Sequence, residues 1–197
     1  FASMWNAAGS KVTLLIRKDR VLSAWDRRAG TTLTRELKRH GVNIIARASV
    51  THVDASKGMV AWARENAAAS GLAERPCRWI VDDCVKFVQR EIRRGSKYDA
   101  VIMDPPSYGR GPGGEIWKLE DCIYDLISQC EEVLSDTPLF FAVNSYTTGL
   151  SPAVMEYMLK TTLVPRFGGE TSCDEIGLPV SATGGVVPCG ATAIWEE

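Results

Sequence analysis

From residue 49 onward the chain alternates short apolar runs with amphipathic stretches, and three of the apolar runs end on aspartates. Strands separated by helix-length segments pair in parallel, with the helices crossing over the faces of the sheet. SVTHVD (49–54) is β-branched and closes on Asp54. SKGMVAWARENAAASG (56–71) opens on a serine cap, sets Met59, Trp62 and Ala63 at helical spacing and stops at Gly71. CRWIVD (77–82) is the next strand, and CVKFVQREIRRG (84–95) a helix with Val85, Val88 and Ile92 on one stripe.

YDAVIMD (98–104) is a continuous apolar run, the pattern of a strand buried on both faces, and PPSYGRGPGG (105–114) reads as loop. A helix is expected over about 118–135, with Ile123, Leu126, Ile127, Cys130 and Leu134 inward. PLFFAVNSY (138–146) is a buried strand, and SPAVMEYMLKTTL (151–163) a helix with proline near its first position. The stretch 170–197 reads as two strands joined by a glycine-containing turn. The expected fold is therefore α/β: a Rossmann-like, doubly wound, mostly parallel sheet with an antiparallel C-terminal hairpin. Residues 1–48 do not share the rhythm. VTLLIR (12–17) suits a strand and LTRELKRHG (33–41) a helix, but the charged stretch between them has no clear period. The expected division is an atypical basic segment, 1–48, followed by one α/β domain, 49–197.

At 45% hydrophobic and 24% charged residues, the 197-residue chain is neither disordered nor a membrane bundle. Its best apolar runs, VTLLI (12–16) and LFFAV (139–143), fall far short of the roughly 18 residues that span a bilayer, so no membrane partner is expected. The opening FASMWNAAGSK has no initiator Met and no signal pattern, as expected of a stretch that starts inside a longer product and could lack a targeting segment. Residues 1–50 carry ten Lys/Arg against three Asp/Glu, and residues 51–197 carry thirteen against twenty-one. Either the basic part meets a polyanion, or it is a segment of different origin. The six cysteines form no C-x-x-C pair and have no histidine at metal spacing. Reduced, mostly buried thiols in a cytoplasmic compartment, and no metal site, are expected.

In a doubly wound sheet, ligands sit beyond the carboxyl ends of the parallel strands. Asp54, the pair Asp82-Asp83 and Asp104 tip three successive strands there. An acid at the position of Asp54 can accept both hydroxyls of a ribose. Asp83 can accept from an exocyclic amine while the N–H of Cys84 meets a ring nitrogen. In Asp104-Pro105-Pro106-Ser107-Tyr108 the two prolines remove N–H donors and restrict the backbone, holding an acceptor-rich turn open beside a ligand. The Tyr108 ring can stack on a base.

Residues 49–146, and more loosely the chain to 197, resemble the class I S-adenosylmethionine-dependent methyltransferases. The nearest subgroup is bacterial proteins akin to the large-subunit ribosomal RNA cytosine-C5 methyltransferase. The stretches that carry the likeness are VTHVDASKGMVAWARENAAASGL, CRWIVDDCVKFVQREIRRGSKYDAVIMDPPSYGRGPGGEIWKLE and ATAIWE. The resemblance implies S-adenosylmethionine as cofactor, with Asp54, Ala55 and Ser56 at its ribose and Asp82, Asp83 and Cys84 at its adenine. It puts Asp104 beside the sulfonium and Asp104, Pro105, Pro106 and Tyr108 beside the methyl acceptor, with RNA, most naturally ribosomal RNA, as substrate.

The sequence departs from that family twice. The first strand and Gly-rich turn expected just ahead of 49 are missing or replaced, since Gly9, Gly30 and Gly41 stand alone. A Cβ there would block the backbone's approach to the donor. Methylation at cytosine C5 also needs a thiolate to add at C6. Tyr146 stands in Asn144-Ser145-Tyr146-Thr147 where that thiol would sit. The expected chemistry is therefore transfer to a heteroatom, with no cysteine adduct. Two alternatives stay open: a catalytically impaired relic serving as a binding module, and a methyltransferase for a protein or small molecule. Trp62, Trp79 and Trp117 read mainly as core and His52 as structural, while His40 suits the last turn of a basic helix. Arg110 and Lys118, flanking the Gly-rich loop, are either phosphate contacts or surface charge, and Arg90, Arg93 and Arg94 read as a solvated helix face.

Overall fold

The computed structural model describes residues 12–16, 20–21, 26–46, 48–111, 114–147 and 149–197. The chain divides into two compact units, Phe1–Cys84 and Val85–Glu197.

The first unit holds two strand–helix–strand repeats. Strand β1 (Thr13–Ile16) pairs in parallel with β2 (Asn43–Ala46) across helix α1 (Arg27–Arg39). Strand β3 (Val50–Asp54) pairs in parallel with β4 (Cys77–Val81) across α2 (Lys57–Ala69). The rhythm thus begins near residue 13, not 49: TLLI (13–16) lies in a repeat of its own, and NIIA, too short to stand out in the sequence, is its partner. Asp26 caps α1, whose first residue lies six positions before the expected start at Leu33, its Oδ1 accepting the N–H groups of Arg28 and Ala29 at 3.0 Å. Gly30 lies where a Cβ would come within 2.8 Å of the Val21 carbonyl, so it lets α1 approach the preceding chain closely. Val21, Val42 and Ile44 are buried there with Leu14, Ile16 and Leu37 against them.

On α2 the inward stripe is Val60, Ala63 and Ala67. The expected Met59 and Trp62 face out, 46% and 56% exposed, because the small alanines rather than the large side chains lie on the sheet side. Trp79 is half-buried, with Arg64 stacked over its ring at 5.8 Å and the His52 ring 5.4 Å away, so His52 sits in a packing role.

Helix α3 (Cys84–Arg94) starts at the last residue of the first unit and runs into the second. The second unit is a four-stranded mixed sheet in the order β5 (Ala100–Met103), β8 (Phe140–Ser145), β10 (Val186–Glu196), β9 (Glu170–Pro179). β5 and β8 are parallel, while β10 runs antiparallel to both β8 and β9, which gives the expected terminal hairpin. The loop expected over 105–114 is in part a small hairpin: β6 (Tyr108–Arg110) pairs with β7 (Ile116–Lys118), Gly109 facing Trp117. Helix α4 (Leu119–Glu132) follows at once, and Ile123, Leu126, Ile127, Cys130 and the following Leu134 are all buried as its spacing predicts. Glu120 and Asp121 lie in its first turn, where the helix dipole favours them. Helix α5 (Pro152–Thr162), capped by Ser151, packs on β9 and β10, and the short α6 (Val164–Phe167) follows it.

Three sequence expectations fail. Ile102 of β5 is 71% exposed, so the apolar run is covered on the Met103 face and open on the other. The thiols are not mostly buried: Cys130 is, Cys84 is exposed, and the other four are intermediate, all six being free. Arg94 is not simply solvated, since it bonds the buried Glu91 at 2.8 Å.

Candidate functional site

The residues expected to meet the donor come together at the carboxyl end of the β3–β4 pair. Asp54 is opposite Val81 in register, and the N–H of Asp82 continues the ladder by donating to the Asp54 carbonyl at 3.0 Å. The Asp54 carboxylate turns back on its own loop, accepting the Ser56 N–H at 2.6 Å, and the Ser56 hydroxyl accepts the Met59 N–H at 3.3 Å to start α2. Ala55 is thereby held in an exposed two-residue turn between strand and helix. Cys84 donates its thiol to the Val53 carbonyl at 3.6 Å. Its pKa is pushed up to about 11 by burial of the sulfur and by the charges of Asp54 and Asp83. Both carboxylates therefore stand close enough to Cys84 to repel a thiolate. The arrangement presents negatively charged hydrogen-bond acceptors beside backbone N–H groups, suited to the hydroxyls and amine of an adenosine.

The residues expected beside the methyl acceptor belong to the second unit. The register Met103↔Val143 makes Asp104 and Asn144 the first residues beyond the paired ends of β5 and β8. Partial withdrawal of the Asp104 carboxyl from water raises its pKa, although the residue as a whole is exposed. The turn that follows is held from three sides. Trp117 donates its indole N–H to the Pro106 carbonyl at 2.7 Å, Leu119 N–H donates to the Ser107 carbonyl at 3.1 Å, and Thr147 donates its hydroxyl to Ser107 Oγ at 2.6 Å. Pro105 is half-buried and Pro106 exposed. Tyr108 is 51% exposed, and its hydroxyl accepts from Arg110 Nε at 3.0 Å. The flanking Arg110 thus supports the ring, and Trp117 is a clamp for the proline turn rather than only core. Neither contact was legible in the sequence, because the β6–β7 pairing that creates them runs through Gly- and Pro-rich chain.

Tyr146 is 54% exposed, and its ring lies over Gly190, where a Cβ would come within 2.7 Å of it. No thiol replaces it at that strand end: Cys130 is buried in α4, and Cys173 donates to Glu156, which raises its pKa. Among the described residues no group of three or more His, Cys, Asp or Glu side chains gathers to hold a metal. None of their helices is long and apolar enough to cross a membrane. The glycines described ahead of β3 are Gly30, packed inside α1, and Gly41, at its end. Neither forms a strand-to-helix cradle, and Gly9 lies outside the described residues.

A model of the pyridine nucleotide-disulphide oxidoreductase family matches residues 1–62. That is less than a third of the chain, and the stretch holds no cysteine for thiol–disulphide exchange. Over 61 residues, 30% of this chain, the sequence is 33% identical to the ribosomal RNA large subunit methyltransferase K/L of Shewanella sp. (strain MR-4), of which it covers 9%. A solved SAM-dependent methyltransferase from Agrobacterium tumefaciens is 30% identical across 99% of this chain, with a TM-score of 0.69, and the chain spans 59% of it. A putative methyltransferase solved with SAH shares the fold at a TM-score of 0.54 and 18% identity, over 97% of this chain and 47% of its own. In fold and in sequence, then, this chain is similar to the Rossmann-like S-adenosylmethionine-dependent methyltransferases, and it spans less than two thirds of the length of these relatives.

Proposed function

We propose that the chain transfers a methyl group from S-adenosylmethionine to RNA, most naturally ribosomal RNA, in the cytoplasm. The observation that carries this reading is the pair of carboxylates, Asp54 and Asp83, converging on Cys84 at the end of β3 and β4. When bound, the donor supplies an electrophilic methyl on a sulfonium. Asp54, with Ala55 and Ser56 in the turn behind it, takes the ribose hydroxyls, while Asp82, Asp83 and the Cys84 N–H take the adenine. In the second unit, Asp104 and the carbonyls of the Pro105-Pro106 turn accept hydrogen bonds from the acceptor's amino group. The raised carboxyl of Asp104 takes up a proton more readily than an ordinary aspartate, and Tyr108 offers a stacking face. Alignment of this kind can lower a barrier by roughly 7–11 kcal/mol without covalent catalysis. The RNA assignment is supported by the Shewanella relative's name.

Transfer to a heteroatom suits the thiols of this chain, since burial and nearby carboxylates hold Cys84 protonated and Tyr146 stands at the end of β8. The lone positions of Gly30 and Gly41 favour a second reading, a relic that keeps the fold without the donor. Calorimetric titration with S-adenosylmethionine and its demethylated product separates the two. Micromolar binding abolished by Asp54→Ala supports the enzyme, and no binding at millimolar donor supports the relic. Labelled-methyl transfer to bulk RNA, and not to protein, then tests the acceptor class.

A further inference from the structure

The first unit contains a basic hollow that the donor site does not use. Arg20, Arg27, Thr31, Thr34, Arg35 and Lys38 line a space of about 460 Å³, four cations and two hydroxyls with no carboxylate among them. Five of these residues come from α1. At about 100° per residue, positions 27, 31, 34, 35 and 38 fall within an arc of roughly 100° on the helix surface. Glu36, the helix's single acid, lies about 180° from Arg27 on the same count and faces away. Its weak ion pairs to Arg35 and Arg39, at 3.8 and 3.9 Å, leave Lys38 and Arg27 out of its reach. On the packed side of the stripe Gly30 and Leu37 fasten α1 to the unit, and Thr34 is fixed by accepting the Val21 N–H at 2.9 Å. The cations are therefore set on a rigid helix anchored by its core edge, and are not a tail of loose charge.

We infer that this hollow binds the sugar–phosphate backbone of a single-stranded stretch of RNA, with Arg27, Arg35 and Lys38 contacting phosphates and Thr31 donating to them. The stripe from Arg27 to Lys38 is about 16 Å long. A stacked strand carries a phosphate about every 3.4 Å, so several successive phosphates match it, whereas a lone anion would meet only part of the row. Cations directed at phosphates predict affinity with little sequence preference. The inference rests on RNA being the acceptor only for its choice of polyanion, and it concerns binding, not transfer.

The test is fluorescence-anisotropy titration of the whole chain with labelled 20-nucleotide poly(U) and poly(C) RNA across a salt series. It compares the triple variant Arg27→Gln, Arg35→Gln, Lys38→Gln with a control that removes the same charge elsewhere: Arg75→Gln, Arg93→Gln, Lys160→Gln. All six side chains are on exposed residues, and circular dichroism and thermal melts check that both variants fold. Loss of three phosphate contacts should reduce the slope of log affinity against log salt by about 2 and weaken binding at low salt more than tenfold. The control should stay close to the parent, and the two oligonucleotides should bind alike. An equal loss in both variants, no loss in the triple variant, or saturation by inorganic phosphate or NADH at the affinity of the oligonucleotide would overturn the inference. Asp54→Ala serves to keep the readings apart: it should abolish donor binding while leaving RNA affinity intact. Failure of the charge variants with normal methyl transfer to RNA would sink this inference alone, whereas transfer to protein with no RNA binding would sink the choice of acceptor as well.

Discussion

Thr147 donates its hydroxyl to Ser107 Oγ across 2.6 Å, tying the chain that leaves β8 to the proline turn that leaves β5. The bond joins positions 40 apart in sequence and sets the distance between two loops whose strands run side by side. Thr147→Val keeps the shape and removes the donor. Because the Ser107 side can turn to water, the stability change should stay near 0.5–1.5 kcal/mol. The donor's dissociation constant should not move, and the rate of methyl transfer should fall several-fold. Calorimetry and single-turnover transfer, measured on the same preparation, check the pair of outcomes.

Cys84 should be slow to alkylate despite its exposure. With its thiol raised from 9.0 to about 11, only a small fraction is thiolate at pH 8. Reaction with iodoacetamide, followed by mass spectrometry, should accelerate only as the pH nears 11. Asp83→Asn removes one of the repelling charges and should shift that profile to lower pH. The folded state holds this proton more tightly than the unfolded one, so the linked stability is complete below pH 9 and is lost as pH climbs toward 11.

Glu91 is only 2% exposed and carries three roles at once. Burial alone would raise its carboxyl, but hydrogen bonds from Tyr98, Arg94 and Ser96, together with the Arg94 charge, hold it below the usual range. The Tyr98 hydroxyl is at 2.7 Å and Arg94 at 2.8 Å. Glu91→Leu should cost roughly 2 kcal/mol at neutral pH by stripping the partners of a buried acceptor. Since the folded carboxyl is depressed, its contribution is present above 4.5 and fades as pH falls through the folded value. Chemical denaturation of parent and variant should therefore converge in acid.

Gly190 supports the exposed ring of Tyr146. A Cβ at 190 would meet the Ser145 carbonyl and the Tyr146 ring, each at 2.7 Å. It also stands at the register shift in β10, between Pro188 and Gly190. Gly190→Ala should destabilise by about 1–3 kcal/mol through overpacking, read as a lower melting temperature. Tyr146 should swing away, which the accompanying change in tyrosine fluorescence reports.

The strands were legible where an apolar run was bounded by polar chain, as at VTHVD and LFFAV, and Asp54 marked the end of the first of these correctly. What the run could not reveal was how many of its faces are covered: Met103 and Ile102 read alike, yet one is buried and the other exposed. NIIA escaped because four residues between Val42 and Arg47 give periodicity too little length, and its partner β1 lies thirty residues upstream. On α2 size misled, since Val60 and two alanines meet the sheet while Met59 and Trp62 do not. The gathering of Asp54, Asp83 and Cys84 at the ends of β3 and β4 followed from strand ends alone. The ties that hold the proline turn, from Trp117 and Thr147, depend on pairings between distant positions and had no local signature.

β5 is the terminal strand of its four-stranded sheet, and Ile102 projects from it into solvent. An outer strand with an exposed isoleucine is a seeding point for self-assembly, because amide groups on its outer side can template an incoming chain while the side chain supplies greasy contact. Storage at high concentration should therefore favour clumping that begins at residues 100–103, and a lysine at 102 should act as a gatekeeper against it.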